Sequence, residues 1–141
     1  MTGLLVATQN LGKFREIEAF VRLRHPHLAC RFLGDVDPGW NVPEEGATFL
    51  ENAAKKANAT ATRFESVTLA DDSGLLVDAL RGEPGVHSAR YAGANATDLR
   101  RIEKLLGNLE GVPAERRSAR FECVMVLADP AGRSVHETGR L

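Results

Sequence analysis

Apolar positions fall into two rhythms along this chain. Gly3-Leu4-Leu5-Val6-Ala7-Thr8 is an unbroken apolar run bounded by turn residues, the pattern of a short strand buried on both faces. Phe14, Ile17, Phe20 and Val21 then recur at helical spacing, predicting a helix from Lys13 to about Arg24. His25-Pro26 ends it, because the residue before a proline disfavours the helical region. Leu28 to Leu33 reads as a second strand, and Gly34 to Pro43, with Pro38-Gly39 inside it, as a loop. Thr48-Phe49-Leu50-Glu51 has the form of a capping box, in which threonine and glutamate side chains satisfy the first free amides of a helix. An alanine-rich helix to about Phe64 follows, a composition that favours helix and permits close packing.

Val67 to Ala70 predicts a buried strand that stops at Asp71-Asp72-Ser73-Gly74, read as a sharp turn before a second extended run from Leu75 to Leu80. Arg81 to Asn95, rich in glycine, proline and asparagine, reads as an ordered loop. Thr97 or Asp98 can cap a helix to about Leu106, with Gly107-Asn108 as its stop. Ala119 to Leu127 suits a central strand. Asp129-Pro130-Ala131-Gly132 is a hairpin-like turn, and Arg133 to Glu137 begins the partner strand. Strands alternating with helices and a hairpin at the end predict an α/β fold, a mixed central sheet with flanking helices, built as one domain over residues 1–141.

Composition narrows the function classes. With 43% hydrophobic and 26% charged residues, the chain falls in the globular class. Its 18 basic and 19 acidic residues nearly cancel, so no global field attracts nucleic acid or a membrane surface; any phosphate binding must be local. The longest apolar runs, such as Val124 to Ala128, fall far short of the roughly 20 residues of a membrane span. The first residues lack the basic, apolar and small-residue segments of a secretory signal, and the expected compartment is the cytoplasm. Cys30 and Cys123 lie among apolar neighbours without C-x-x-C spacing, and read as reduced, buried thiols. The four histidines show no metal-ligand spacing.

Three constellations carry chemistry. Thr8-x-Asn10-x-Gly12-Lys13 lies between the first strand and first helix, where helix amides and a lysine can converge on phosphate oxygens. It fits neither a Walker A loop nor a dinucleotide fingerprint, and an ordinary turn with a helix cap is the alternative. Asp71-Asp72-Ser73-Gly74 sets two carboxylates at a strand end. Strand alternation sends them to opposite faces, one toward a ligand cleft and one bracing the loop, and magnesium takes one or two such carboxylates; the alternative is an aspartate-capped turn. Glu44, just before the capped helix, is a candidate second carboxylate for that metal, and a lysine on the helix, Lys55 or Lys56, can reach phosphates.

Val6-Ala7-Thr8-Gln9-Asn10-Leu11-Gly12-Lys13, Glu44-x-Gly46-x-Thr48-Phe49-x-Glu51-Asn52-Ala53-x-x-Lys56-Ala57, Ala70-Asp71-Asp72-Ser73-Gly74-Leu75-x-Val77-Asp78-Ala79-Leu80 and Pro84-Gly85-Val86-x-Ser88-Ala89-Arg90-Tyr91-Ala92-Gly93 resemble, in order, the successive motifs of the inosine triphosphate pyrophosphatase family. The resemblance extends through Arg120-Phe121-x-Cys123-Val124. It implies that family's fold, ending ahead of its glycine-rich F-G-Y-D-P stretch and Ser-His-Arg motif, so a chain truncated at the C-terminal side is expected.

The resemblance further implies hydrolysis of non-canonical purine nucleoside triphosphates such as ITP, dITP and XTP to the monophosphate and pyrophosphate. Thr8, Asn10, Lys13 and Lys56 would hold the phosphates, Ser73 and Gly74 would line the substrate, and Glu44 and Asp72 would bind Mg2+. Asp72 would also be the general base, with Asp71 orienting the loop or joining the metal. A homodimer is implied as well. Arg81 stands where the family usually has glycine, and His87 where tyrosine is common. The competing reading is a non-catalytic remnant that binds nucleotide or a partner subunit.

Overall fold

The apolar run near the N-terminus forms β1 over Leu4–Val6, each residue buried. The structure, a computed structural model, describes residues 3–141. The chain divides into two compact units, residues up to Asp71 with Val124–Glu137, and Asp72–Cys123 with Thr138–Leu141.

In the first unit β1 lies between two parallel neighbours. One is β2, Cys30–Phe32, with Leu4 opposite Cys30 and Val6 opposite Phe32; the other is β3, Thr68–Val77, with Leu5 opposite Thr68. Adding β4, Ala119–Ala128, and β5, Ser134–Arg140, gives the order β2-β1-β3-β4-β5. Leu5, Val6 and Val126 have almost no exposed surface and form the centre of the core.

Helix α1, Leu11–Arg24, is capped at its start by Asn10, whose side chain accepts from the Lys13 amide, and at its end by His25. Phe14 is buried on it, its ring 5.1 Å from that of Phe32. Phe20, six residues on and so about 120° round the helix from Phe14, is exposed, with the Arg24 guanidinium over its ring. Helix α3, Phe49–Phe64, has the bounds its sequence predicts. Ala53, Ala57 and Ala61, four residues apart, are wholly buried, because a methyl side chain lets a backbone approach closely. The capping box is shifted by one residue. Thr48 Oγ1 accepts from the Glu51 amide as expected, whereas the Glu51 carboxylate accepts from the Ala47 amide, 2.8 Å away.

The segment read as a loop from Gly34 begins instead with one helical turn, α2, Leu33–Val36, which starts on the buried Leu33. Asp71-Asp72-Ser73-Gly74 is no turn: β3 runs through it without a break. Aspartate, serine and glycine are poor strand formers, and here tertiary pairing overrides that local preference.

In the second unit, β3 passes into a 3-10 turn at Asp78–Leu80. Asp78 organises this corner: its amide donates to the Ser118 carbonyl (3.0 Å), and its carboxylate accepts from the Ser118 hydroxyl (2.7 Å). The glycine-rich loop that follows contains a 3-10 segment, Gly85–Arg90. Thr97 caps α4, Asp98–Asn108, which passes through the predicted stop at Gly107 and ends at Leu109. The Asp129-Pro130-Ala131-Gly132 turn joins β4 to β5 as expected, with Gly132 at φ +90°. Phe121 and Leu141 exchange two backbone hydrogen bonds at the far end of this hairpin.

Cys30 and Cys123 are in no disulfide, as expected, but partly rather than fully buried. Burial pushes the Cys30 thiol above its ordinary value; the Glu18 carboxylate adds to the shift and Arg22 opposes it.

Two outcomes are expected. Leu5→Ala should lower stability by about 2–5 kcal/mol in urea unfolding, because it removes buried methylene groups and leaves a cavity. Since a raised pKa shrinks the thiolate fraction at neutral pH, Cys30 should react with a thiol reagent more slowly than an unfolded-chain cysteine. Its rate should climb with pH beyond the point where an ordinary thiol levels off, as followed by mass spectrometry.

Candidate functional site

The polar residues expected to meet phosphate lie where β1 ends. Strand β1 delivers the chain to Thr8 and Asn10, and α1 begins at once. Thr8 Oγ1 accepts from the Asn10 amide (3.1 Å), and Asn10 Oδ1 accepts from the Lys13 amide (3.1 Å), so the turn is pinned by its own side chains. The first turn of α1 contains no acidic residue, so the turn itself supplies no carboxylate against the positive end of the helix dipole.

This turn forms one side of a cavity of about 270 Å³. Thr8 and Asn10 line it together with Glu44, Lys56, Trp40 and Thr60. Of the expected site residues in the first unit, four therefore share one cavity. Lys13 is not in its lining; its ammonium lies 2.9 Å from Asp71 Oδ2, tying α1 to β3 across 58 positions of sequence.

The two lysines expected at phosphates are each matched to a carboxylate. Lys56 Nζ is 2.7 Å from Glu44 Oε1, and Lys13 is held by Asp71. The Asp71 side chain is 6% exposed, and a carboxylate so far from water requires such a partner. Lysine carries three N–H donors, so each ammonium that holds one carboxylate can also donate to phosphate oxygens.

The approach to α3 is fixed by residues that play another part in the sequence reading. Asn52, buried on α3, accepts from the Gly46 amide at 2.7 Å. A Cβ at position 46 would sit 2.7 Å from that same oxygen and 2.8 Å from Glu51 Cβ, so only glycine fits there. This clamp sets the chain two residues after Glu44.

Asp72, Ser73 and Gly74 belong to the second unit. Asp72 is buried, and its Oδ1 accepts from the Ser73 amide at 3.1 Å; Ser73 is exposed. Downstream on the same strand, the Leu75 amide donates to Ser88 Oγ, which itself donates to the Gly85 carbonyl at 2.6 Å. Ser88 is thus a structural bracket for β3, a role that its motif alone does not reveal. His87 meets the guanidinium of Arg90 through Nδ1.

Among the described residues no group of three or more His, Cys, Asp and Glu side chains gathers as a metal cage. Magnesium does not require one: it takes one or two hard carboxylate ligands and completes its shell with water and substrate phosphate. The chemistry of Glu44 and Asp72, both oxygen donors, fits that demand. Among the same residues no helix is long and apolar enough to cross a membrane.

Comparison with known proteins covers almost the whole chain. The family model described as the Ham1 family matches residues 4–141. A dITP/XTP pyrophosphatase of Geobacter sulfurreducens is 48% identical over 141 residues, all of this chain and 70% of the relative. One from Geobacillus kaustophilus is 48% identical over 130 residues, 92% of this chain and 63% of the relative. The Staphylococcus aureus Ham1 protein superposes with a TM-score of 0.86 at 37% identity, covering 99% of this chain and 69% of that one. This chain therefore spans 63% and 70% of the lengths of those two curated relatives.

Removing the charge at Asp71 should expose the cost of the pair. Asp71→Asn is expected to lower stability by about 1–3 kcal/mol in urea unfolding at neutral pH, with most of that loss absent when Lys13→Met is made in the same chain. An equal loss in both backgrounds would mean that the ammonium and carboxylate are not coupled.

Proposed function

The chain belongs to the Ham1 family, and we propose that it hydrolyses non-canonical purine nucleoside triphosphates such as dITP and XTP to the monophosphate and pyrophosphate. The observation that carries this reading is the single cavity in which Thr8, Asn10, Glu44 and Lys56 meet. Relatives called dITP/XTP pyrophosphatases match it across the chain.

In this reading the Thr8 hydroxyl and the Asn10 carboxamide orient the phosphate chain beside the first amides of α1. Lys13 and Lys56 hold phosphate oxygens and neutralise charge on the departing pyrophosphate. Ser73 and Gly74 line the substrate. The Asp72 carboxylate takes a proton from water as its oxygen bonds to the α-phosphorus. The α–β bridging P–O bond breaks and its electron pair leaves with pyrophosphate. Glu44 and Asp72 are the proposed Mg2+ ligands, and the ion, when bound, supplies positive charge that offsets the negative charge of the phosphates. Asp71, engaged with Lys13, serves this site by fixing that lysine.

A homodimer working in the cytoplasm on a small nucleotide, with no nucleic acid partner, completes the proposal. The near balance of 18 basic and 19 acidic residues supports its last part.

The test is pyrophosphate release from dITP and dATP by the purified chain, with Mg2+ and with a chelator in excess. Release is expected from dITP, to be lost with the chelator, and to fall by about 10²–10⁴-fold in Asp72→Asn, the usual range for removing a general base. Undiminished turnover by a folded Asp72→Asn protein would overturn the role given to Asp72. Absence of release from the folded parent chain would overturn the activity itself.

A further inference from the structure

One wall of the phosphate-side cavity is built by residues outside the constellations that the sequence marks. Gln9 lies in the turn between Thr8 and Asn10, exposed on the surface, yet its carboxamide nitrogen is fully engaged. Nε2 donates to the carbonyls of Asp37 and Trp40, both at 3.0 Å, from 28 and 31 positions away. Those two carbonyls bracket a tight turn through Pro38-Gly39, itself closed by the Gly39 amide on Asp37 Oδ1 and the Trp40 amide on the Asp37 carbonyl.

Trp40 is held from its other side as well. Its indole N–H donates to Thr60 Oγ1 at 3.0 Å, and Thr60 is wholly buried on α3 one turn beyond Lys56. Phe64 meets the ring edge-on with centroids 5.7 Å apart. Gln9, Trp40 and Thr60 all line the cavity that contains Glu44 and Lys56.

A surface glutamine whose nitrogen spans two distant carbonyls does more than cap a turn. It couples the phosphate turn to the loop opposite, so that neither can shift without breaking two hydrogen bonds. Taking the hydrolase reading as given, we propose that Gln9 is a positioning residue that latches the Asp37–Trp40 loop, and that Trp40, so held, is a wall of the cavity touching bound nucleotide. The Arg63 guanidinium lies over the Trp40 ring, 5.9 Å from the centroid, and the apolar indole surface that lines the cavity with Lys56 and Glu44 is suited to the nucleoside while the polar turn takes the phosphates.

Trp40 is the chain's one tryptophan, so its emission reports on this wall alone. The experiment titrates the full chain with the two non-hydrolysed products, dIMP and pyrophosphate, in Mg2+, with occupancy measured in parallel by equilibrium dialysis. It then compares dITP kinetics for the parent, Gln9→Met, which keeps the length but removes the donors, Trp40→Phe and Trp40→Ala. A saturable change in Trp40 emission that follows dialysis occupancy is expected. Gln9→Met should raise KM by about five- to tenfold with a smaller effect on kcat, in line with the loss of two hydrogen bonds that position substrate. Its unliganded emission should shift to the red as the loop is released. Trp40→Phe, which retains a ring, should raise KM less than Trp40→Ala.

Emission that stays flat at proven occupancy, with KM unmoved in a folded Gln9→Met, would overturn the latch while parent hydrolysis of dITP left the enzymatic reading standing. Absence of hydrolysis with emission that still tracks bound products would overturn the enzymatic reading and support the wall. Absence of product binding would overturn both.

Discussion

The cavity at the end of β1 depends on a strand of only three residues, Leu4–Val6, held between two parallel neighbours. A segment so short has little stability of its own. Its position is set because β2 and β3 satisfy its backbone on both edges while its side chains fill the core. Parallel pairing sets Val6 opposite Leu69, so the turn that follows β1 runs beside the stretch of β3 that contains Asp71. That alignment lets Lys13, just past β1, meet Asp71 within β3.

Two lysines of the first unit are each paired with a carboxylate. Asp71 and Glu44 each hold a lysine, so the partly buried ammonium and carboxylate groups share their desolvation cost. Such pairs orient the lysines while leaving them N–H donors for a ligand. Under the proposed function, a triphosphate would meet cations already aimed, which reduces the ordering that binding must impose. The glycine at position 46 and the buried Asn52 serve the same end, setting the backbone just after Glu44 by a contact too close for any other residue.

The wall formed by Trp40 extends this logic to apolar surface. Three separate stretches of sequence, around Gln9, Trp40 and Thr60, converge through hydrogen bonds of 3.0 Å. The cavity is thereby bounded by elements that fix one another. Family membership accounts for the polar turn and the carboxylates, whereas the Gln9 latch follows from the contacts of this chain.

What the sequence by itself determined is what short-range interactions decide. Helix α3 has its predicted bounds because Thr48 caps an amide three residues away and the buried alanines recur at helical spacing within the same segment. Asn10 caps α1 in the same way, His25-Pro26 ends it, and Asp129 to Gly132 closes the last hairpin. The order of motifs likewise sufficed to recognise the family, since it depends on residue identity alone. Tertiary structure decided the rest. Asp71-Asp72-Ser73-Gly74 has the composition of a turn, yet it is strand, because hydrogen-bonding neighbours outweigh local propensity. Phe20, read as part of the apolar stripe of α1, faces solvent, because only the packing of the helix selects which part of that stripe is covered. The pairing of Lys13 with Asp71, of Lys56 with Glu44 and of Gln9 with two remote carbonyls could not be read beforehand. A charged or amide side chain has many eligible partners along a sequence, and the closure of the chain around its core brings one of them within reach.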